Sequence, residues 1–120
     1  MTTRTKERKQ KGKEPLSREA LALVAQRFKA LGDPTRLALL QALFEGELTV
    51  QELCERTGTG QANASKHLAL LTDQGLLARR KEGLFVRYRI DDPSVRTLCE
   101  VVCGSLARRF EVARGHLGPE

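Results

Sequence analysis

The sequence predicts a mainly α protein that carries one small β-hairpin late in the chain. Apolar residues recur at helical spacing from Leu21 to Leu71. The pattern then changes to alternation up to Ile90 and returns to helical spacing from Val95. A length of 120 residues leaves room for one domain, with a workable core but no second lobe.

Residues 1–14 hold six basic and two acidic side chains, a surplus of +4 that leaves +2 for the rest of the chain's +6. Residues 1–15 show no apolar periodicity and are expected to be a disordered basic tail. Such a tail is either a phosphate-contacting arm or a solubilising extension. Residues 16–114 form the expected domain, and 115–120 a flexible C-terminus. The excess positive charge implies an anionic partner, of which DNA is the obvious one. No run approaches the ~18 apolar residues of a membrane span. Nothing apolar follows the N-terminal charges as a signal peptide requires, and three cysteines do not suit a secreted disulfide framework. A cytoplasmic protein is expected.

Ser17 is a candidate N-cap for a first helix with Leu21, Val24, Phe28 and Leu31 on its apolar side, stopped by Gly32. Asp33 and Pro34 suit the start of a second, whose core face is Leu37, Leu40, Leu43 and Phe44. Thr49 and Glu52 have the spacing of a capping box for a third. Its apolar side is Leu48, Val50, Leu53 and Cys54, and Gly58 supplies the turn that ends it. A fourth helix starts at Thr59 or Gly60, buries the stripe Ala64, Leu68 and Leu71, and closes at Gly75.

The fourth helix begins polar and small. Gln61, Ala62, Asn63, Ser65 and Lys66 lie away from its apolar stripe. Amides pair with adenine, lysine with guanine, and alanine meets the thymine methyl, so the set suits base-pair edges. A short helix, a turn and a helix that reads bases with its N-terminal residues make a helix-turn-helix. The competing reading of Gln61 to Lys66 is a plain solvated face.

Residues 76–90 hold two short strands around Lys81-Glu82-Gly83, Gly83 taking the positive-φ turn position. Leu84, Val86, Tyr88 and Ile90 alternate with Phe85, Arg87 and Arg89. The cations of this hairpin either discourage edge-to-edge pairing or make it a wing on the phosphate backbone, with Arg80, Lys81 and Arg87 as candidate contacts. A last helix from Ser94 to about Arg114 carries Val95, Leu98, Cys99, Val102, Cys103, Leu106 and Phe110, more apolar surface than the terminal helix of one small domain can cover. It is expected to pack on the first helix and on its copy in a second subunit.

Asp33-Pro34-Thr35-Arg36-Leu37, Glu52-Leu53-Cys54, Ser65-Lys66-His67-Leu68, Gly75-Leu76 and Tyr88-Arg89-Ile90 stand in an order that resembles the ArsR/SmtB family over about residues 20–110. The resemblance implies a homodimeric bacterial repressor with a winged helix-turn-helix fold, dimerising through its first and last helices. It implies operator DNA as partner and release by metals, metalloids or thiol chemistry.

Cys99 and Cys103 share one face of the last helix, with Cβ atoms ~5–6 Å apart at i, i+4 spacing. A disulfide wants ~3.8 Å. A thiophilic ion such as arsenite, with metal–sulfur bonds of ~2.3 Å as a guide, suits the pair better. Cys54 or a cysteine of the second subunit would supply a third thiolate. The bland reading is core packing, because free cysteine is among the most buried residues. Cys54 matches the first cysteine of the Glu-Leu-Cys-x-Cys motif that the resemblance brings, but Arg56 replaces the second. The family's zinc positions hold Asp92, Ser94, Ser105 and Arg108, and only the aspartate fits. His67 reads as structural. No catalytic order of nucleophile, base and acid is present, so an enzyme is not expected. A redox or persulfide sensor of the same fold and a winged-helix protein-interaction module are the alternatives.

Overall fold

Most of the helices begin where a side chain can replace a missing backbone partner. In the computed structural model, which describes residues 14–114, the Ser17 hydroxyl accepts from the Ala20 amide at 3.1 Å and opens α1 (Arg18–Leu31). Asp33 accepts from the Arg36 amide at 3.0 Å, and Pro34 occupies the first position of α2 (Pro34–Leu43). Thr49 accepts from the Glu52 amide at 3.1 Å while Glu52 accepts from the Thr49 amide at 2.8 Å. That reciprocal box opens α3 (Val50–Thr57), which ends at Gly58 with φ 72°, a conformation that costs a side-chain-bearing residue dearly. Gly60 then leads into α4 (Gln61–Asp73) without a side-chain cap. Asp92 accepts from both the amide and the hydroxyl of Ser94 at the start of α5 (Ser94–Arg114). The expectations for the N-terminal tail and for residues 115–120 fall outside the described residues, save for the exposed tail positions 14 and 15.

β2 (Leu77–Glu82) and β3 (Phe85–Ile90) form the expected antiparallel hairpin. Glu82 pairs with Phe85, so the turn is Gly83–Leu84, with Gly83 at φ 61°. Leu84, expected in the second strand, instead stands at the turn and is 96% exposed. A third strand was not anticipated. β1 (Leu48–Thr49) pairs with β3, giving the order β1-β3-β2 with Leu48 opposite Tyr88. Its two residues sit directly before a capping box, so no alternation could develop to betray it.

The core joins Leu39, Leu40 and Leu43 of α2, Leu53 of α3 and Ala64, Leu68 and Leu71 of α4 to Leu76, Leu77, Tyr88 and Val95. The expected apolar side of α1 lies mostly outside the core. Leu31 is buried, but Leu21, Val24 and Phe28 are 52%, 39% and 57% exposed. On α2, Leu37 is likewise 39% exposed. On α5 Val95 is buried and Leu98 partly so, while Val102 and Leu106 stay largely open. Among the described residues nothing lies over this face. Among the described residues no helix is long and apolar enough to cross a membrane.

A recognition helix, a clamped wing and a thiol groove

Helix α4 is held by its inner stripe, Ala64, Leu68 and Leu71, each fully buried. That anchorage turns Gln61, Ala62, Asn63, Ser65 and Lys66 to the solvent, where all five are exposed. His67 lies between the two faces. Its Nδ1 is 3.2 Å from Arg36 Nη1, and its Nε2 is 4.0 Å from Asp33. Arginine can only donate, so Nδ1 is the acceptor in that contact. The Arg36 guanidinium also donates to the carbonyls of Ala30 (2.7 Å) and Lys29 (3.1 Å), closing the end of α1. Arg36 therefore joins α1, α2 and α4, a role its place in a helix-start motif did not reveal. The Arg36 amide, more than any charge, lowers the Asp33 carboxyl below its usual range. His67 has the structural role expected of it.

The wing places its basic side chains in different states. Arg80 donates to both carboxylate oxygens of Glu47, the shortest contact being 2.9 Å, and lies 3.8 Å from Glu82. Arg87 donates to Glu82 at 2.6 Å and approaches Glu52 at 3.9 Å. Arg80 and Arg87 face each other across the strands, an unfavourable like-charge pair that the three glutamates offset. These hydrogen bonds lower the carboxyls of Glu47 and Glu82. Arg79 stacks over Tyr88 at 5.9 Å. Among the described residues Lys81 enters no ion pair. The wing acids were missed from sequence because the pairing requires the register of all three strands.

The three cysteines separate into two groups. Cys54 on α3 packs partly against the core. Cys99 is half-buried and Cys103 exposed, and both line an apolar groove of about 560 Å³ between α1, α2 and α5. Burial, and then Cys103, push the Cys99 thiol up from its ordinary value. Among the described residues no three His, Cys, Asp or Glu side chains converge on a point, so Cys54 does not join the pair within one chain. Asp92, just before α5 and the one family zinc position whose residue fits, is held by Arg27 at 2.7 Å and by Ser94. Its carboxyl is lowered first by the Ser94 hydroxyl.

The sequence profile of the bacterial regulatory proteins of the arsR family matches residues 33–79, from the α2 cap into β2. The cadmium resistance regulatory protein CadC homolog of Staphylococcus aureus is 40% identical over 91 residues, 75% of this chain and 75% of that one. The chain belongs to the ArsR family. A probable mercury resistance operon repressor of Streptomyces lividans is 45% identical over 74 residues, a match that covers 62% of this chain and 59% of that protein. The homodimeric winged helix-turn-helix DNA-binding domain Mb0332 of Mycobacterium bovis superposes with a TM-score of 0.72 at 32% identity, over 88% of this chain and 99% of that one. The fold is accordingly a winged helix-turn-helix, with α3 and α4 as its helix pair and β2–β3 as the wing. ArsR-family proteins are DNA-binding regulators of transcription and not enzymes. The matched stretch 33–79 stops short of Cys99 and Cys103.

Proposed function

We propose that this ArsR-family chain is a homodimeric cytoplasmic repressor that leaves its operator when Cys99 and Cys103 bind a thiophilic metal or metalloid. α4 presents Gln61, Ala62, Asn63, Ser65 and Lys66 to base edges, and Lys81 with Arg80 and Arg87 meets phosphates. The second copy covers the exposed apolar faces of α1 and α5, which sets two recognition helices ~34 Å apart on successive major grooves. The homodimeric neighbour and the relatives named for mercury and cadmium resistance support this reading.

The observation that carries it is the pair of thiols on an α5 face left open by the single chain. An effector bound there touches the surface that joins the subunits, so it can favour one arrangement of the recognition helices over another. The test is fluorescence anisotropy on the gene's own promoter DNA, with reduced protein and added mercuric ion or arsenite. Release by wild type and retention by Cys99→Ser and Cys103→Ser are expected. Normal release by the double serine variant refutes the sensing role.

A further inference from the structure

The wing's cations are not all free to meet an anion. Arg80 and Arg87 stand directly opposite each other on β2 and β3. Carboxylates reach this pair from three parts of the fold: Glu47 just before β1, Glu52 in the first turn of α3 and Glu82 at the end of β2. Glu47 makes the fullest contact. Arg80 Nε donates to both of its oxygens, at 3.2 and 3.3 Å, and Nη2 donates to one of them at 2.9 Å. The sheet fixes this grip, since Leu48, the next residue, pairs with Tyr88 of β3. Lys81, beside Arg80, enters no ion pair among the described residues. We propose that Glu47 sets the DNA affinity of this wing: its carboxylate competes with the phosphate backbone for Arg80 and restrains binding to every sequence. This rests on the wing contact proposed above and adds the residue that holds it in check.

A phosphate and a carboxylate ask the same of a guanidinium, two oxygens against two parallel N–H groups. Glu47 already occupies the Nε–Nη2 edge of Arg80 that suits such a contact. A phosphate that displaces it frees one counterion from the DNA, but the bared carboxylate draws a cation in. The net ion release is then close to nil, whereas a phosphate contact by Lys81 has no such offset. As a surface pair, with side chains 45% and 31% exposed, Arg80 and Glu47 add little to folding. Their larger consequence is the field that an approaching polyanion meets. Phosphate contacts carry no sequence information, so the restraint lowers affinity without touching the discrimination made by α4. A repressor gains from that, because an effector coupling of ~5–150-fold frees the operator only when the starting affinity lies within its reach.

The test is fluorescence anisotropy of the full chain on its own promoter DNA and on a scrambled duplex of equal length, over a salt series. Glu47→Gln keeps the shape of the side chain and removes its charge. Both affinities should rise about five- to tenfold at about 0.1 M salt, and the slope of log K against log salt should steepen by ~0.9, the value of one phosphate contact. The rise should vanish in an Arg80→Ala background, where no guanidinium is left to release. Glu55 is an exposed α3 acid outside the ion pairs of the described residues, and Glu55→Gln should steepen the slope clearly less. An unchanged slope for Glu47→Gln, an equal rise with and without Arg80, or an equal steepening by Glu55→Gln overturns the proposal. A fall in affinity overturns it too, and makes Glu47 a guide that aims Arg80 at the backbone. Where Lys81→Ala still flattens the slope in those cases, the wing contact itself stands. If Lys81→Ala, Arg80→Ala and Glu47→Gln all leave slope and affinity unchanged, the wing contact and the restraint fall together.

Discussion

The two ends of the molecule differ in how far a single chain can satisfy them. The half built from α2, α3, α4 and the first residues of the wing is closed. Leu39, Leu40, Leu53, Leu68 and Leu71 are fully buried, and no buried side-chain polar atom lacks a hydrogen-bond partner among the described residues. The half built from α1 and α5 is open, with Leu21, Phe28, Val102 and Leu106 all more than 40% exposed. The surface proposed to read DNA thus rests on a self-sufficient core, while the surface proposed for dimerisation and sensing awaits a second copy. Changes in the closed half should act through the stability of one chain. Changes in the open half should act through assembly.

The largest expected effect tests that contrast directly. Leu106→Glu places a charge on the open face. It should yield a folded monomer whose operator affinity falls about a hundredfold or more, because two half-sites are no longer engaged together. Leu68→Ala, in the closed half, should lower unfolding free energy by ~2–5 kcal/mol and leave the oligomeric state at high concentration unchanged. Sedimentation and urea unfolding of both variants decide it. A dimeric, stable Leu106→Glu protein would end the comparison.

Next in size is the effect on release. Cys99→Ser or Cys103→Ser should bind promoter DNA as wild type does but lose an effector coupling in the ~5–150-fold range typical of such linkage. Cys54→Ser should change release least, since Cys54 stands on α3, in the closed half. Anisotropy titrations with and without mercuric ion measure both. Equal loss from all three serine variants would mean that the sensing is not confined to the open half.

The same contrast explains what could be seen in the sequence. The caps at Ser17, Asp33 and Thr49, the αL glycine at Gly58 and the stripe Ala64, Leu68, Leu71 are local signals within a few residues of each other, and all five formed as expected. The overloaded stripe of α5 was also legible, because it exceeds what one small domain can cover. The pairing of Arg80 with Glu47, 33 positions away, was not, since only the β1-β3-β2 register brings them together. The link between Arg36 and His67 spans 31 positions and was hidden for the same reason. The groove was invisible too: it needs α1, α2 and α5 in place, and its walls are residues that a helical wheel assigns to the core.

Within the DNA-facing surface, smaller differences are expected between helix and wing. Lys81→Ala should weaken all sequences alike and reduce the slope of log K against log salt by ~1. Asn63→Ala should keep the slope and lose ~1–3 kcal/mol of discrimination at one base pair. Arg80→Ala should change the slope less than Lys81→Ala, because removing it also frees the Glu47 carboxylate near the phosphates. Equal slopes for the two wing variants would show that the Glu47 clamp opens fully on DNA.

The smallest effect concerns the seam where the open half meets the closed one. Arg27 of α1 donates to Asp92 before α5 at 2.7 Å and to the Gln74 carbonyl after α4 at 3.1 Å. The Ser94 hydroxyl and amide, together with Arg27, hold the Asp92 carboxyl below its reference value of 3.8. The unfolded chain takes up that proton near 3.8, while the folded chain resists until the pH is lower. The stabilisation is therefore fully present above that value and is lost as pH falls through the folded pKa. The pair is 38% and 28% exposed, so water screens it to no more than about 1 kcal/mol. Asp33, Glu47, Glu52 and Glu82 are lowered as well and add to the same acid loss. Asp92→Asn should therefore flatten, not abolish, the decline in the urea midpoint between pH 7 and pH 3. If wild type and Asp92→Asn decline in parallel, the Arg27–Asp92 pair contributes nothing to the acid loss, and α1 is held to the closed half by the Arg27–Gln74 bond, Arg36 and packing.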